Sequence, residues 1–358
     1  MTADPVIAGP TTPEPKHARI KDEVQPFIFD EATSSLKVLD QRLLPALVHY
    51  DTLTDTDGVA EAIVSMKVRG APAIGLVAAY GLAILAAREA SGRQVFAGVI
   101  GIAAKALIAT RPTAVNLSRS VMHMVQEAMS VADLEPSARA AHLLAAAKQL
   151  HADDLAANRR LGEFGAGFLP GSRRLLTHCH TGALACGGWG TAIGILRTLG
   201  TEGRLAHVYA NETRPYLQGA RLTAWELQTL GLPVTLLTDA MSPALMAAGD
   251  IDGVVVGADR ISPRGDVANK IGTYALAIAA RYHDLPFIVA ASTATIDRAW
   301  SPETRIEIEE RSSDEAALIR GHRLAPEGVA YRHPAFDITP ASLVTAIVTE
   351  NGVWHPNA

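Results

Sequence analysis

A chain of 358 residues, 48% of them apolar and 19% charged, can bury a substantial core, and its length points to two domains rather than one. A formal charge of −5 with no Lys/Arg run or basic stripe argues against nucleic-acid or membrane-surface partners, so any phosphate must be held by a few placed groups. Two cysteines, Cys179 and Cys186, share one glycine-rich segment and cannot make a disulfide framework, which fits a reducing, cytoplasmic setting.

Residues 1–18 hold four prolines among small polar side chains, carry no signal-peptide pattern, and are expected to be a mobile tail. Residues 19–150 predict a smaller, mainly helical domain, opened by a few antiparallel strands within FIFDEATSSLKVLDQRLLP. Val59, Ala62, Ile63 and Met66 recur at helical spacing, with Asp55 or Thr56 as the N-cap and Gly70 just past the end. Pro72 then opens a new helix, where its fixed φ is an asset. The apolar run Ala71 to Ala87 is about one turn short of a comfortable membrane span and contains Pro72, Gly75 and Gly81, so it reads as a buried helix. Further helices are predicted near 94–110, 117–131 and 136–166.

From about residue 173 the rhythm changes. Apolar runs (RRLLTH, LAHVYA, PVTLLTD, GVVVGAD, LPFIVAAS) alternate with helical stretches, which predicts an α/β fold with a Rossmann-like, mostly parallel, doubly wound sheet over residues 151–358. Such sheets bind ligands outside the carboxyl ends of their strands. The residues at those ends are His178–Cys179–His180, Asn211–Glu212, Asp239–Ala240, Asp259–Arg260 and Ser292–Thr293.

Three segments there carry chemistry. HCHTGALACGGWGTAIG combines Cys179 with glycines that let backbone approach a ligand and with a helix, starting near Trp189, whose free N–H groups would favour an anion and a thiolate. The alternative is a flexible turn around an inert cysteine. His178 and His180 invite a zinc reading, but alternation along extended chain turns them away from Cys179, and no CxxC or HExxH supports a metal. GADRISPRGDVANKIGTY delivers Asp259 to a strand end, where a half-buried carboxylate would suit general acid–base work; Asn269 is placed to cap a helix, and Lys270 near that helix start suggests an anionic ligand. Asp259 paired with Arg260 is the structural alternative. NETRPYLQGARLTAWEL puts Pro215 in a first helical turn and offers Gln218 as a partner for a sugar hydroxyl. Upstream, Arg69, Gly70 and Ala71 in VRGAPAIG resemble an anion cradle before a helix, and Arg111 is a second loop arginine suited to phosphate; a purely structural role for either arginine is the alternative.

Together, RGAPAIG, T-x-C-x-T-G-A-L-A with GTAIG, ETRPYLQGARLTAWEL, GADRI…GDVANKIGTY, IVAASTATID, IEIEER and HPAFDITPASLVTAIVTENG resemble the 5-methylthioribose-1-phosphate isomerases of methionine salvage. The wider family includes related ribose-phosphate isomerases and regulatory subunits of a translation initiation factor's exchange factor. The resemblance implies a two-domain subunit, a homodimer, a sugar-phosphate substrate and no cofactor. It places Cys179 and Asp259 on the family's catalytic positions, and Arg69, Gly70, Ala71, Arg111, Gln218, Asn269 and Lys270 on its substrate-binding positions. His180 stands where the family usually has Asn, and Asn211 where it usually has Asp, which bears on substrate preference. Another ribose 1-phosphate as substrate, or a non-catalytic regulatory subunit, are the competing expectations.

Overall fold

The computed structural model describes residues 24–356 apart from 113, 172, 301–307, 309, 311 and 320; the expected tail lies outside the described residues. Strands β1 (Phe27–Asp30), β2 (Ser35–Leu39) and β3 (Tyr50–Leu53) form the antiparallel meander expected near the N-terminus. Helices α1 (Thr56–Val64), α2 (Ala71–Arg88), α3 (Arg93–Ala109), α4 (Val115–Ser130) and α5 (Pro136–Phe168) follow. Asp55 is the N-cap of α1, its carboxylate accepting from Gly58 N–H at 2.8 Å. Among the described residues α2 alone is long and apolar enough to cross a membrane. Its buried residues lie on every side, because it forms the axis around which α4 and α5 pack.

The expected alternation comes next: β4 (Arg173–Thr177), α6 (Ala192–Thr201), β5 (Leu205–Asn211), α7 (Ala224–Thr229), β6 (Val234–Leu237), α8 (Ser242–Ala247) and β7 (Gly253–Val256). Strands β8 (Arg260–Ile261) and β9 (Val267–Lys270), helix α9 (Thr273–Tyr282), strand β10 (Phe287–Ala290), helix α10 (Ser313–Ala317) and strands β11 (Leu318–Ile319), β12 (His322–Arg323), β13 (Phe336–Thr339), β14 (Ala346–Thr349) and β15 (Gly352–Trp354) complete the order. The main sheet, in the order β15-β14-β10-β7-β4-β5-β6, is parallel except for β15, and so has the doubly wound, α/β character the sequence predicts. Neighbouring residues serve opposite faces: Leu175 and Val255 pack with α6 and α7, while Leu176, Val254 and Val256 pack with α8 and α9.

Helix α5 runs through residue 150, where the sequence suggested a domain boundary. Leu143 and Ala147 belong to the helical core, and Leu161 and Ala166 to the core against the sheet, so one rod ties the two together. The chain leaves β4 outward through β5 and β6, then returns to the other side of β4 and runs outward through β7, β10 and β14. The reversal falls between β4 and β7, the place where open α/β sheets leave a crevice at their carboxyl edge.

Candidate active site

Cys179 lies two residues past β4 and Asp259 three past β7, so the two strands flanking the reversal carry them to one cavity of about 200 Å3. That cavity is also lined by Arg69, Gly70, Ala71, Arg111, Gln218 and Lys270. A smaller chamber of about 60 Å3 shares Arg69, Gly70, Ala71, Cys179 and Asp259 with it and adds Asn269. All nine residues singled out in the sequence therefore meet at one place. The larger cavity also holds residues that the sequence did not single out for the site: Met66, Ile74, Val115, Ile308 and Phe336 are apolar, and Tyr216, Asn116 and Thr295 add polar groups; Arg260, next to Asp259, lines it as well. Met66, read at helical spacing, lies two residues beyond α1 with φ 60°, and Ile74 lies within the apolar run that forms α2, so neither announced a place in the cavity.

Cys179 adopts a left-handed backbone, φ 65°, which costs a non-glycine residue about 1–3 kcal/mol. Hydrogen bonds hold it there. Its N–H donates to Thr213 Oγ1 at 2.9 Å, and its carbonyl accepts from Thr223 Oγ1 at 2.6 Å. At about 1 kcal/mol each, two such bonds offset a strain of that size. Gln218 Nε2 donates to the thiol at 3.3 Å, and Arg69 Nη2 lies 3.8 Å from it. Gln218 and the thiol are both almost fully buried, whereas Cys186 is buried away from the larger cavity and its thiol is pushed well above its ordinary pKa by that burial.

Asp259 is in a different setting. It is exposed, not half-buried as the sequence suggested, because three residues beyond β7 carry it to the rim; its N–H donates to Ala268 O at 3.0 Å. Three further expectations are corrected. Asn269 and Lys270 lie on β9, paired to β13, and not at a helix start; α9 begins at Thr273, its first turn capped from outside by Asp337, which accepts from Gly272 N–H at 2.7 Å and Tyr274 N–H at 3.1 Å. Helix α6 starts at Ala192 and not near Trp189, since the glycines before it are spent on a bridge between Gly182 and Gly190. Pro215 sits in a turn, with the helical run starting only at Gln218.

Lys270 is buried, with Nζ donating to Ala335 O at 2.9 Å and lying 4.4 Å above the Phe336 ring. Asn269 Nδ2 donates to Thr273 Oγ1 at 3.0 Å. Gly70, at φ 98°, precedes α2 with no side-chain cap, leaving first-turn N–H groups of that helix unspent. A Cβ at Gly70 would stand 2.5 Å from Ala185, so only glycine lets α2 press its N-terminus against the loop that follows Cys179.

The two histidines beside Cys179 are both buried. His178 Nε2 lies 2.9 Å from Ile271 O, and its Nδ1 3.3 Å from Asn211 Nδ2. His180 contacts Thr223 and Glu226. Burial pushes both imidazoles below their ordinary pKa, opposed at His178 by the Asp239 carboxylate and at His180 by Glu226. Asn211 accepts from Ser242 Oγ as well, so this departure from the usual pattern is spent on packing behind the site. Among the described residues no group of three His, Cys, Asp or Glu side chains could hold a metal ion.

An open α/β sheet with a thiol, a carboxylate and four basic side chains, Arg69, Arg111, Arg260 and Lys270, around one cavity at its reversal point defines a site for a small anionic ligand. The chain belongs to the initiation factor 2 subunit family, whose model matches residues 67–356. It is 51% identical over 334 residues to a methylthioribose-1-phosphate isomerase of Anaeromyxobacter sp. (strain K), covering 93% of this chain and 95% of that one. It is 50% identical over 325 residues to the protein of that name from Roseiflexus sp. (strain RS-1), covering 89% and 92%. Among solved structures it resembles 5-methylthioribose 1-phosphate isomerase from Pyrococcus horikoshii OT3, with a TM-score of 0.88 at 39% identity over 93% of each chain. It also resembles the structure titled translation initiation factor eIF-2B, subunit delta, from A. fulgidus, with a TM-score of 0.84 at 39% identity over 93% of this chain and 96% of that one.

Proposed function

We propose that this protein is an aldose–ketose isomerase converting 5-methylthioribose 1-phosphate to 5-methylthioribulose 1-phosphate, a step of methionine salvage. The observation that carries the reading is the convergence of Cys179 and Asp259 on a cavity that also presents Arg69, Arg111 and Lys270 and an apolar wall. The relatives at about half identity bear the name of this reaction. Both solved structures are 39% identical to this chain, so they do not separate enzyme from regulatory subunit. The catalytic pair does, since a binding module has no need of it.

The substrate sets the chemistry. Phosphate on the anomeric oxygen prevents the ring from opening as a free sugar does. A proton must reach the ring oxygen, and a hydrogen must then pass from C2 to C1. Asp259 at the rim is the acid for ring opening and exchanges the proton at the sugar oxygens. Cys179 on the floor acts at C2, either as base through an enediolate or beside a direct hydride shift. Arg69, Arg111, Lys270 and the N-terminus of α2 hold the phosphate. Met66, Ile74, Ile308 and Phe336 suit a methylthio group better than a second phosphate. The protein works as a homodimer, as its sequence resemblance implies, and in the cytoplasm, which its two cysteines without a disulfide framework fit.

Turnover of 5-methylthioribose 1-phosphate in D2O tests the reading. Appearance of the ketose is the expected result, and no ketose at any enzyme concentration would reject it. Deuterium at product C1 marks the enediolate; full retention of substrate hydrogen marks the hydride shift.

A further inference from the structure

Behind Cys179 lies a buried acid–base pair that this chemistry does not use. The side chains of His180 and Glu226 are both 0% exposed, and Nε2 lies 3.2 Å from Oε2, close enough for an ion pair although not aligned as a hydrogen bond. The rest of the carboxylate is committed. Oε1 accepts from Ala183 N–H at 2.7 Å, and Oε2 from Leu184 N–H at 3.3 Å. Glycine at 182 makes this approach possible, since a Cβ there would stand 2.2 Å from Oε1.

On its other side the imidazole places Nδ1 3.2 Å from Thr223 Oγ1. Thr223 has one hydroxyl proton, and it goes to the Cys179 carbonyl at 2.6 Å. Toward His180 the hydroxyl can therefore only accept, so Nδ1 carries a proton. In the neutral ring that leaves a lone pair on Nε2 facing a carboxylate oxygen in a dry interior. A second proton between the two removes this conflict. The His180 carbonyl is used too: Arg69 Nη1 donates to it at 3.1 Å, and the same guanidinium reaches toward the thiol.

We infer that His180 and Glu226 hold one proton between Nε2 and Oε2, and that this charge-neutral pair, acting through Thr223, is a positioning device for Cys179. The inference rests on the proposed function only for what Cys179 does to substrate. The other charged or titratable groups acting on the pair are Arg69 and Arg221 on His180 and the Cys186 thiol beside Glu226. Asparagine, the family's usual residue at 180, would give Thr223 a donor but would bring no proton to Glu226.

The test is the pH dependence of Cys179 alkylation by iodoacetamide, which reaches the thiol through the cavity. It is followed by peptide mass spectrometry on the full-length protein and its variants, with kcat and KM measured in parallel. Glu226→Gln keeps the pair neutral, so its alkylation midpoint should match that of the unmodified chain. His180→Asn leaves the Glu226 charge uncompensated and should raise the midpoint by about one pH unit. The double variant H180N/E226Q should restore it. Thr223→Val should lower kcat about tenfold with KM changed less than about twofold, the mark of a displaced reacting group rather than a lost binding contact. A lowered midpoint in Glu226→Gln would show that the pair carries negative charge and would overturn the proposal, as would an unmoved midpoint in His180→Asn. If His180→Asn does not fold, Glu226→Gln and Thr223→Val decide together: an unmoved midpoint in the first with a lowered kcat in the second supports the proposal, and an unchanged kcat in Thr223→Val overturns it. If the unmodified chain turns over no sugar phosphate but the midpoints follow this pattern, the isomerase reading fails and the pair stands.

Discussion

Cys179 and Asp259 leave adjacent strands at the same edge of the sheet, yet the floor and the rim of the cavity are built on opposite terms. On the floor, backbone N–H, carbonyl and thiol of Cys179 each have a side-chain partner, and the residue is 5% exposed. At the rim, Asp259 is exposed and its main chain is tied by a bond to Ala268. The difference fits the division of labour proposed for the two residues. A group that must meet one carbon atom needs a fixed, dry position; a group that serves several sugar oxygens needs reach and a route for protons.

Removing either proposed reacting group should have the largest effect. Cys179→Ser and Asp259→Asn should each cut kcat by about a thousandfold or more while circular dichroism stays native. Near-normal turnover in either would break the assignment. Arg111→Ala sharpens the cavity's third feature: a tenfold or so rise in KM with kcat little changed is the expected mark of a lost phosphate contact. Stability separates floor from rim. Thr213→Val leaves the Cys179 N–H without its acceptor and should cost about 1–2 kcal/mol in denaturant unfolding, whereas Asp259→Asn should stay within about 0.5 kcal/mol. The last effect concerns pH and vanishes at the acid end. Burial raises Asp154 from 3.8 to about 6, so its ionisation penalises the fold as pH rises through that window. Asp154→Asn should therefore melt higher than the unmodified chain at pH 8, by roughly 3 kcal/mol of stability, with the difference shrinking toward pH 4. A gain that persists unchanged at low pH would reject this account of Asp154.

Much of the floor was legible in the sequence, because strand ends are marked by apolar runs that stop at polar residues, and the strands before Cys179, Asn211, Asp239, Asp259 and Ser292 stop as expected. The motif around Arg69 was legible through Gly70 and Pro72, whose backbone demands are local. What was not legible depends on distant chain. Asn269 and Lys270 read as a helix start, since the strand that pairs with them comes from residues 336–339. The exposure of Asp259 depends on where the β7 ladder ends. The left-handed turn at Cys179 has no glycine to announce it; Thr213 and Thr223, which stabilise it, lie 34 and 44 residues away. His180 was legible as a departure, but the sequence could not show that it turns from the larger cavity toward Glu226.

The central claim is that this site isomerises a ribose 1-phosphate whose far end is apolar. The direct measurement is kcat/KM of the purified protein on 5-methylthioribose 1-phosphate, 5-deoxyribose 1-phosphate and ribose 1,5-bisphosphate, followed by 31P NMR. The account predicts ketose formation with 5-methylthioribose 1-phosphate preferred over the bisphosphate by at least about tenfold. Preference for the bisphosphate, or silence on all three, would contradict it.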